Sequence, residues 1–426
     1  MVGLSAATGA SASTVPADRW ATSSGNAGNA EVNAGETALT ASSAPYVAFR
    51  WKLGVDAGIY EQGPVIVNGV AYMTSDWTIT RAPSLLALSV KTGAVLWTLP
   101  IPPDLLPEHG MTVTGNRLLI GYRWGGPTYM HQATPGGVIA IDLSTRRIVW
   151  HSALPSENGS STEALQPYSD GKQVYVSGAQ NAVVAFRLSD GKLLWHVPAP
   201  QNPRENPPAI DGMAVTGGQV FVVDGEGLVA FDGLTGKRLW SSSVATGGPV
   251  AADGRIFVMT FSGVSEFSAA GCGKSVCSAT WSTRIPHHTL PQYVFLMSAD
   301  SASLFVTYNT QDGSTNGCYG TGYNSLARLS ARTGQILWSA RLGLGVRGVV
   351  HAGGLLWAIE DIAAGPCDYP YARLIAVSAT STTAPRALLQ IPLPDYDLAG
   401  QQLAVAGGTV FYKAANILRG ARIKGQ

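Results

Sequence analysis

Residues 230–240 read Ala-Phe-Asp-Gly-Leu-Thr-Gly-Lys-Arg-Leu-Trp: an apolar strand, a turn at Thr235-Gly236, and a second strand ending on Trp240. The same eleven-residue unit stands at 87–97, 140–150, 185–195 and 328–338. One such hairpin cannot bury its own faces, so a chain that repeats it must pack the copies against one another. The seventh place of the unit is Gly93, Gly191, Gly236 or Gly334, which suits a turn residue with positive φ. Arg146 stands there in the second copy, at an expected cost of about 1 kcal/mol if the backbone is kept.

Working outward, the closing tryptophans are Trp51, Trp97, Trp150, Trp195, Trp240, Trp281 and Trp338, with Leu389 in the analogous place of a degenerate unit. The steps between them are 46, 53, 45, 45, 41, 57 and 51 residues, the range of a four-stranded propeller blade. One Trp per unit at one fixed place is what packing between blades requires, rather than a platform for carbohydrate or quinone. A second element precedes each hairpin: apolar strand, Gly-containing turn, apolar strand. It occurs eight times, at 63–73, 111–122, 168–178, 213–223, 250–260, 296–308, 349–359 and 403–413. Alternation and β-branched enrichment make these strands, and no long amphipathic helix interrupts them.

Only seven closing hairpins follow eight openings. The missing strand lies at the other end of the chain, where 46–53 (YVAFRWKL) carries an orphan Trp51. The sequence therefore predicts an all-β, eight-bladed β-propeller of four-stranded antiparallel blades. Its N-terminal strand closes the last blade, which removes the exposed edges of an open array. Residues 46–426 form this single propeller. Residues 1–45 are Ser/Ala/Thr/Gly-rich without periodicity and read as a flexible N-terminal arm, laid along the ring near Trp20.

The 426 residues carry 28 Lys plus Arg and 27 Asp plus Glu, a formal net charge of +1, so nothing favours nucleic acid or anionic lipid. No apolar run approaches the roughly 20 residues of a membrane span. Met1 and the residues up to Thr14 make a poor secretory signal, so either the signal lies upstream and is removed or the protein is cytosolic. Four cysteines bear on this. Cys272 and Cys277 flank an insertion in the hairpin 266–281, which spans 16 residues instead of 11. Cys318 and Cys367 occupy nearly the same place in successive units, 8 and 7 residues before Leu326 and Leu374. Two disulfides and an oxidising, extracellular or cell-envelope location are expected; free thiols or a zinc site are the alternatives, and no CxxC spacing supports zinc.

The units resemble the quinoprotein-like, PQQ-binding-like propeller repeat, whose hallmark is a strand ending in Ala-Leu-Asp, a Thr-Gly turn and a closing Trp. Ala230-Phe231-Asp232, Thr235-Gly236 and Trp240 are the nearest copy, and residues 22–53 resemble that family's lead-in segment. The resemblance implies the fold and leaves activity open, because the superfamily holds enzymes and scaffolds alike. In its dehydrogenases a quinone stacks over the channel beside calcium held by Glu, Asn and Asp, and many carry a disulfide between adjacent cysteines. This chain has no adjacent cysteine pair and no clean Glu/Asn/Asp set at blade-equivalent positions. A second relative, the outer-membrane assembly propeller of Gram-negative bacteria, is a binding scaffold without a cofactor.

Residues just before the innermost strands are expected to line one mouth of the channel, as a ligand-binding set of Glu61, His109, Gln166, Asp211, Tyr293 and Arg347. No catalytic or metal residue is assigned. His287-His288 reads as two surface histidines, the proline-rich 196–211 as a stiffened connection, and 224–227 (DGEG) lacks the downstream ligands of a calcium loop. No GxSxG, HExxH, P-loop or dinucleotide fingerprint is present. The leading expectation is thus an exported, non-catalytic propeller binding a protein, polymer or small ligand, with no cofactor. The alternative is a PQQ- and calcium-dependent dehydrogenase of alcohols or sugars; a further one is a structural subunit of an extracellular assembly. If both disulfides form, intact masses before and after reduction differ by four hydrogens; no difference would return all four cysteines to the thiol state.

Overall fold

The structure is a computed structural model. It describes residues 19–54, 63–75, 83–124, 136–155, 164–178, 181–199, 212–224, 226–285, 297–308, 323–362, 371–393, 402–414 and 417–424. The chain is all-β, with eight four-stranded antiparallel blades. Numbered from the first complete unit, blade 1 comprises Val65–Val67, Val70–Ser75, Ser84–Ser89 and Val95–Pro100. Blades 2, 3, 4 and 5 repeat the pattern, beginning at Leu105–Thr114, Tyr168–Ser169, Met213–Thr216 and Gly247–Ala252. Blades 6 and 7 share one strand. Ile336–Ala352 runs without a break from the outer edge of blade 6 to the inner edge of blade 7.

Blade 8 is closed as the sequence requires. Val47–Gly54 is the outer strand and pairs antiparallel with Ile417–Ile423, placing Trp51 opposite Gly420, and inside that pair lie Thr409–Ala414 and then Gln402–Ala406. The repeat register is preserved around the ring. Trp97, Trp150, Trp195 and Trp240 stand opposite Ala87, Ala140, Ala185 and Ala230, and Leu389 stands opposite Ala376 in blade 7.

Each fourth-strand tryptophan lies on the turn between the third and fourth strands of the next blade. Trp150 Nε1 donates to the Leu188 carbonyl at 3.0 Å, Trp195 to Gly233 at 3.2 Å, and Trp338 to Ser381 at 3.0 Å. Trp51 of blade 8 donates to Val90 of blade 1 at 3.3 Å, so the seam that joins the two chain ends uses the same contact. The turn glycine lies under the indole: a Cβ on Gly236 would stand 2.6 Å from Trp195 Cε3, closer than atoms can approach. Where Arg146 replaces glycine, φ is +55° and its guanidinium covers Trp97 at 5.4 Å from the ring centroid. A cation–π contact of about 0.5–1 kcal/mol partly offsets that strain.

Blade 5 solves the same problem with its insertion. Cys272 and Cys277 are disulfide-bonded, as the spacing suggested. The stapled turn reaches back to blade 4, where Ser241 N–H donates to Ser275 and Cys277 N–H donates to Ser241. Cys277 is buried with Trp240 and Phe267. The hairpin thereby covers part of an outer strand edge that would otherwise be open to pairing. Cys318 and Cys367 lie outside the described residues.

Two glycines isolate the tryptophan contact. Gly236 and Gly254 have φ of +71° and +72°, but a Cβ on Gly254 would meet nothing within 4 Å. Gly254→Ala should cost about 1–2 kcal/mol for the left-handed backbone alone. Gly236→Ala should cost about 1–3 kcal/mol more for overpacking against Trp195. Urea unfolding midpoints of the two variants test this; equal losses would mean that the indole is not seated on the turn.

Candidate ligand site at the plugged channel

The first strands of successive blades neighbour one another around the axis. Each pairs with its own second strand on one side, so its other edge points inward, with backbone N–H and C=O groups that need partners. The chain supplies those partners itself. The sequence reads residues 1–45 as a flexible arm; residues 1–18 lie outside the described residues, and from Arg19 onward the chain lies against the ring.

Trp20, wholly buried, exchanges two backbone hydrogen bonds with Ile66 of blade 1, at 2.7 and 2.8 Å. Val113 N–H of blade 2 donates to Ala21, and Ser23 N–H donates to Met111. Ser24 Oγ meets Gln166 Oε1 at the entry to blade 3, at 3.3 Å. Val215, Ala251, Ala299 and His351, from blades 4 to 7, donate their N–H groups to Ala27, Gly28, Ala30 and Glu31. Asn33 Nδ2 then donates to Val405 of blade 8 at 2.9 Å, and Glu36 Oε2 accepts the Gly408 N–H at 2.9 Å. Residues 20–36 thus visit all eight blades in order.

They also cross the axis. Glu31 N–H donates to the Ser24 carbonyl at 3.0 Å, joining the blade 7 side to the blade 3 side, which face each other across the ring. The backbone contacts of Val113, Val215, Ala251 and His351 fall two residues before the tight turns at Gly115, Gly217, Asp253 and Gly353. The segment is therefore a plug in the tight-turn half of the channel. The connections from blade to blade leave from the opposite ends of the strands.

On the side of the plug facing those connections is a polar set. Tyr168 Oη donates to Asn29 Oδ1 at 3.3 Å, and Asn29 Nδ2 donates to the Pro249 carbonyl at 3.3 Å. Asn29 and Glu31 hold positive φ, at +56° and +47°. Glu31 is enclosed by protein yet keeps part of its surface open to solvent, as a group in a narrow pit does, and burial pushes its carboxyl up to about 8. Burial likewise raises the Tyr168 phenol, and the nearby Glu31 charge adds to the effect. Among the described residues, the buried Gln166 amide nitrogen has no partner.

Of the residues expected at the channel mouth, Gln166 is on the plug surface beside Ser23, Ser24 and Gly110. His109 falls within Leu105–Thr114, next to Gly110, and Arg347 within Ile336–Ala352; their side chains are outside the described set. Glu61, Asp211 and Tyr293 lie outside the described residues, as does His287-His288. Sequence reading missed Ser24, Asn29 and Glu31, because an aperiodic segment carries no signal of which blade each residue will meet.

Comparison with known proteins places this architecture. The family model described as outer membrane protein assembly factor BamB matches residues 2–162, 84–317 and 135–386. The chain belongs to that family of quinoprotein-like, PQQ-repeat propellers. It is similar to the dehydrogenase subunit of the quinone alcohol dehydrogenase of Gluconobacter oxydans, 29% identical over 178 residues, which are 38% of this chain and 22% of that one. It is similar to the 1-butanol dehydrogenase (cytochrome c) of Thauera butanivorans, 32% identical over 170 residues, 35% of this chain and 23% of the other. The aligned segments span less than a quarter of these relatives' length. Among solved structures, the quinohemoprotein alcohol dehydrogenase of Comamonas testosteroni superposes with a TM-score of 0.65 at 14% identity, over 97% of this chain and 82% of that one. BamB of Moraxella catarrhalis superposes with a TM-score of 0.58 at 14% identity, over 88% of this chain and 99% of that one. These superpositions show the fold.

A calcium-bound quinone needs a set of oxygen donors, since calcium takes six to eight. Among the described residues no three His, Cys, Asp or Glu side chains come together to hold a metal ion. The plug surface offers one carboxyl, from Glu31, with the amides of Asn29 and Gln166. The described residues do not assemble that donor set, and no step is derived through it. The one described disulfide is on the outer wall between blades 4 and 5, away from the channel.

The plug's anchorage is testable at Glu36, whose carboxylate accepts the N–H groups of Ala38, Leu39 and Gly408. Glu36→Ala leaves these donors unsatisfied and should cost about 2–4 kcal/mol. The melting temperature reads this, and an unchanged value would mean that the segment is not anchored there.

Proposed function

We propose that the protein takes a small polar ligand into the recess above the plug, from the side of the connecting loops. The observation that carries this reading is the plug itself. A ring closed at one end by its own chain is a blind recess, the shape that encloses most of a small molecule's surface. The form of this function favoured by the relatives is PQQ-dependent oxidation of alcohols or sugars. The dehydrogenases of Gluconobacter oxydans and Thauera butanivorans are the sequences it resembles. Such a protein works in the cell envelope or outside the cell, with which the Cys272–Cys277 disulfide agrees.

A second reading, a non-catalytic binding scaffold, has its own support. The family model that matches residues 2–162, 84–317 and 135–386 is described as an outer membrane protein assembly factor. In that case the recess or the loop face binds without chemistry, and a protein or envelope polymer is the partner. A subunit role in a larger assembly belongs to the same reading.

Calorimetric titration with calcium and PQQ, followed by dye-linked oxidation of ethanol and glucose, separates the two. The dehydrogenase reading expects saturable heat, a raised melting temperature and turnover only with both additions. Absence of heat, thermal shift and turnover would remove it and leave the scaffold.

A further inference from the structure

We propose that the loop-side surface of the plug is a seat for a primary ammonium group, held by the Glu31 carboxylate. This rests on the reading that the recess above the plug takes a small ligand, and it names the ligand's chemistry. Glu31 belongs to the plug and projects from a segment fixed on both sides. Its N–H is bonded to Ser24, its carbonyl to His351 of blade 7, and the preceding Ala30 carbonyl to Ala299 of blade 6. Its carboxylate is the exception in this tightly bonded segment. Glu36, five residues on, satisfies three backbone N–H groups, whereas among the described residues no hydrogen bond or ion pair engages the Glu31 side chain.

Among the described residues, the groups near Glu31 do not supply a cation. From blade 3 comes the Tyr168 hydroxyl, committed to Asn29. From blade 7 comes His351, whose Nδ1 stands 3.0 Å from Asp300 Oδ2 at the turn of blade 6. Burial would raise Asp300, but the His351 contact and the N–H groups of Ser303 and Ala302 hold it below its ordinary value. Asp300 thus already occupies that imidazole.

A carboxyl enclosed by protein and without a donor is biased toward its protonated form, because ionisation there is poorly hydrated and has no counter-charge. An ammonium ion supplies the counter-charge and three N–H donors in one group. It is small enough for a pit, and it leaves its alkyl part toward the open recess. An alcohol of the same shape brings a hydroxyl but no charge, so it does not favour the ionised carboxylate. The Gln166 amide nitrogen, also without a partner on this surface, is placed for an acceptor on the same ligand.

Binding must then release a proton. The neutral acid and the ammonium ion become a carboxylate–ammonium pair and one free proton, with no bond to carbon made or broken. The sign follows: affinity rises with pH while Glu31 is protonated in the free protein, about tenfold per pH unit, and levels off above its titration near 8.

The test is calorimetry on the full chain with n-butylammonium chloride and with n-butanol, in buffers of different ionisation enthalpy at pH 6.5 and pH 9. We expect the amine to bind at least tenfold more tightly than the alcohol. About one proton should be released per amine at pH 6.5 and almost none at pH 9, with a loss of tenfold or more in Glu31→Gln at pH 9. Glu31→Gln removes an unpaired carboxyl without changing its shape, and its melting temperature should not fall; the proton release is read on the unaltered protein and needs no variant. Equal binding of amine and alcohol, no proton release, no amine binding at pH 9, or full amine affinity in Glu31→Gln would each overturn the assignment. A protein that binds quinone with calcium but no amine overturns the ammonium seat alone; one that binds neither removes the small-ligand reading as well.

Discussion

The seating of an indole on the backbone turn of the next blade is the contact on which the rest of the molecule depends. It ties blade to blade at a fixed distance from the axis, because the ring rests on the neighbouring turn and, for Trp51, Trp150, Trp195 and Trp338, its Nε1 is held by a carbonyl of that turn. Each such ring buries on the order of 150–250 Å² and would cost about 3–5 kcal/mol to truncate. The contact also explains why the turn is so often glycine. Positive φ is one demand, and a surface without Cβ, on which an aromatic ring can rest, is the other. Trp51 makes the contact across the junction of the chain ends, so closure of the ring uses the interaction that builds its interior seams.

That regularity is why so much of the fold is legible from the sequence. The eleven-residue hairpin, the eight openings and the orphan Trp51 determine blade number, strand order and closure. Leu389 is found in register despite having lost the aromatic ring. The widened hairpin at 266–281 reads as a stapled turn, and it is one. Its second role, lending backbone groups to the edge of blade 4, could not be read, because the bonds to Ser241 involve no distinctive side chain. The same limit hides the plug. Residues 20–36 bond mainly through their backbone, and backbone bonds leave only a weak trace in residue identity. Of the site, Gln166 was accessible to sequence reasoning because it precedes an innermost strand. Glu31 was not, since nothing in EVNAGE distinguishes a capping carboxylate from an unpaired one.

The plug changes what the ring can do. In an open toroid the inner strand edges are hydrated and the channel passes through. Here one segment satisfies inner edges on blades 1, 2 and 4 to 7 through backbone bonds, reaches blades 3 and 8 through side chains, and divides the channel. In the proposed ligand site the polar groups of Asn29 and Glu31 belong to the plug. That makes the N-terminal segment a functional element in the proposed ligand site, beyond its part in holding the ring.

Hydrogen–deuterium exchange resolved at single amides is the most direct test of this account. The N–H groups of Val113, Val215, Ala251 and His351 point at the channel and are bonded only to the plug. They should be protected to the same degree as the second-strand amides of their blades in the full chain, and become fast-exchanging when residues 1–37 are deleted. Rapid exchange of these four amides in the intact protein would contradict it, because the channel would then be open to water along its whole length.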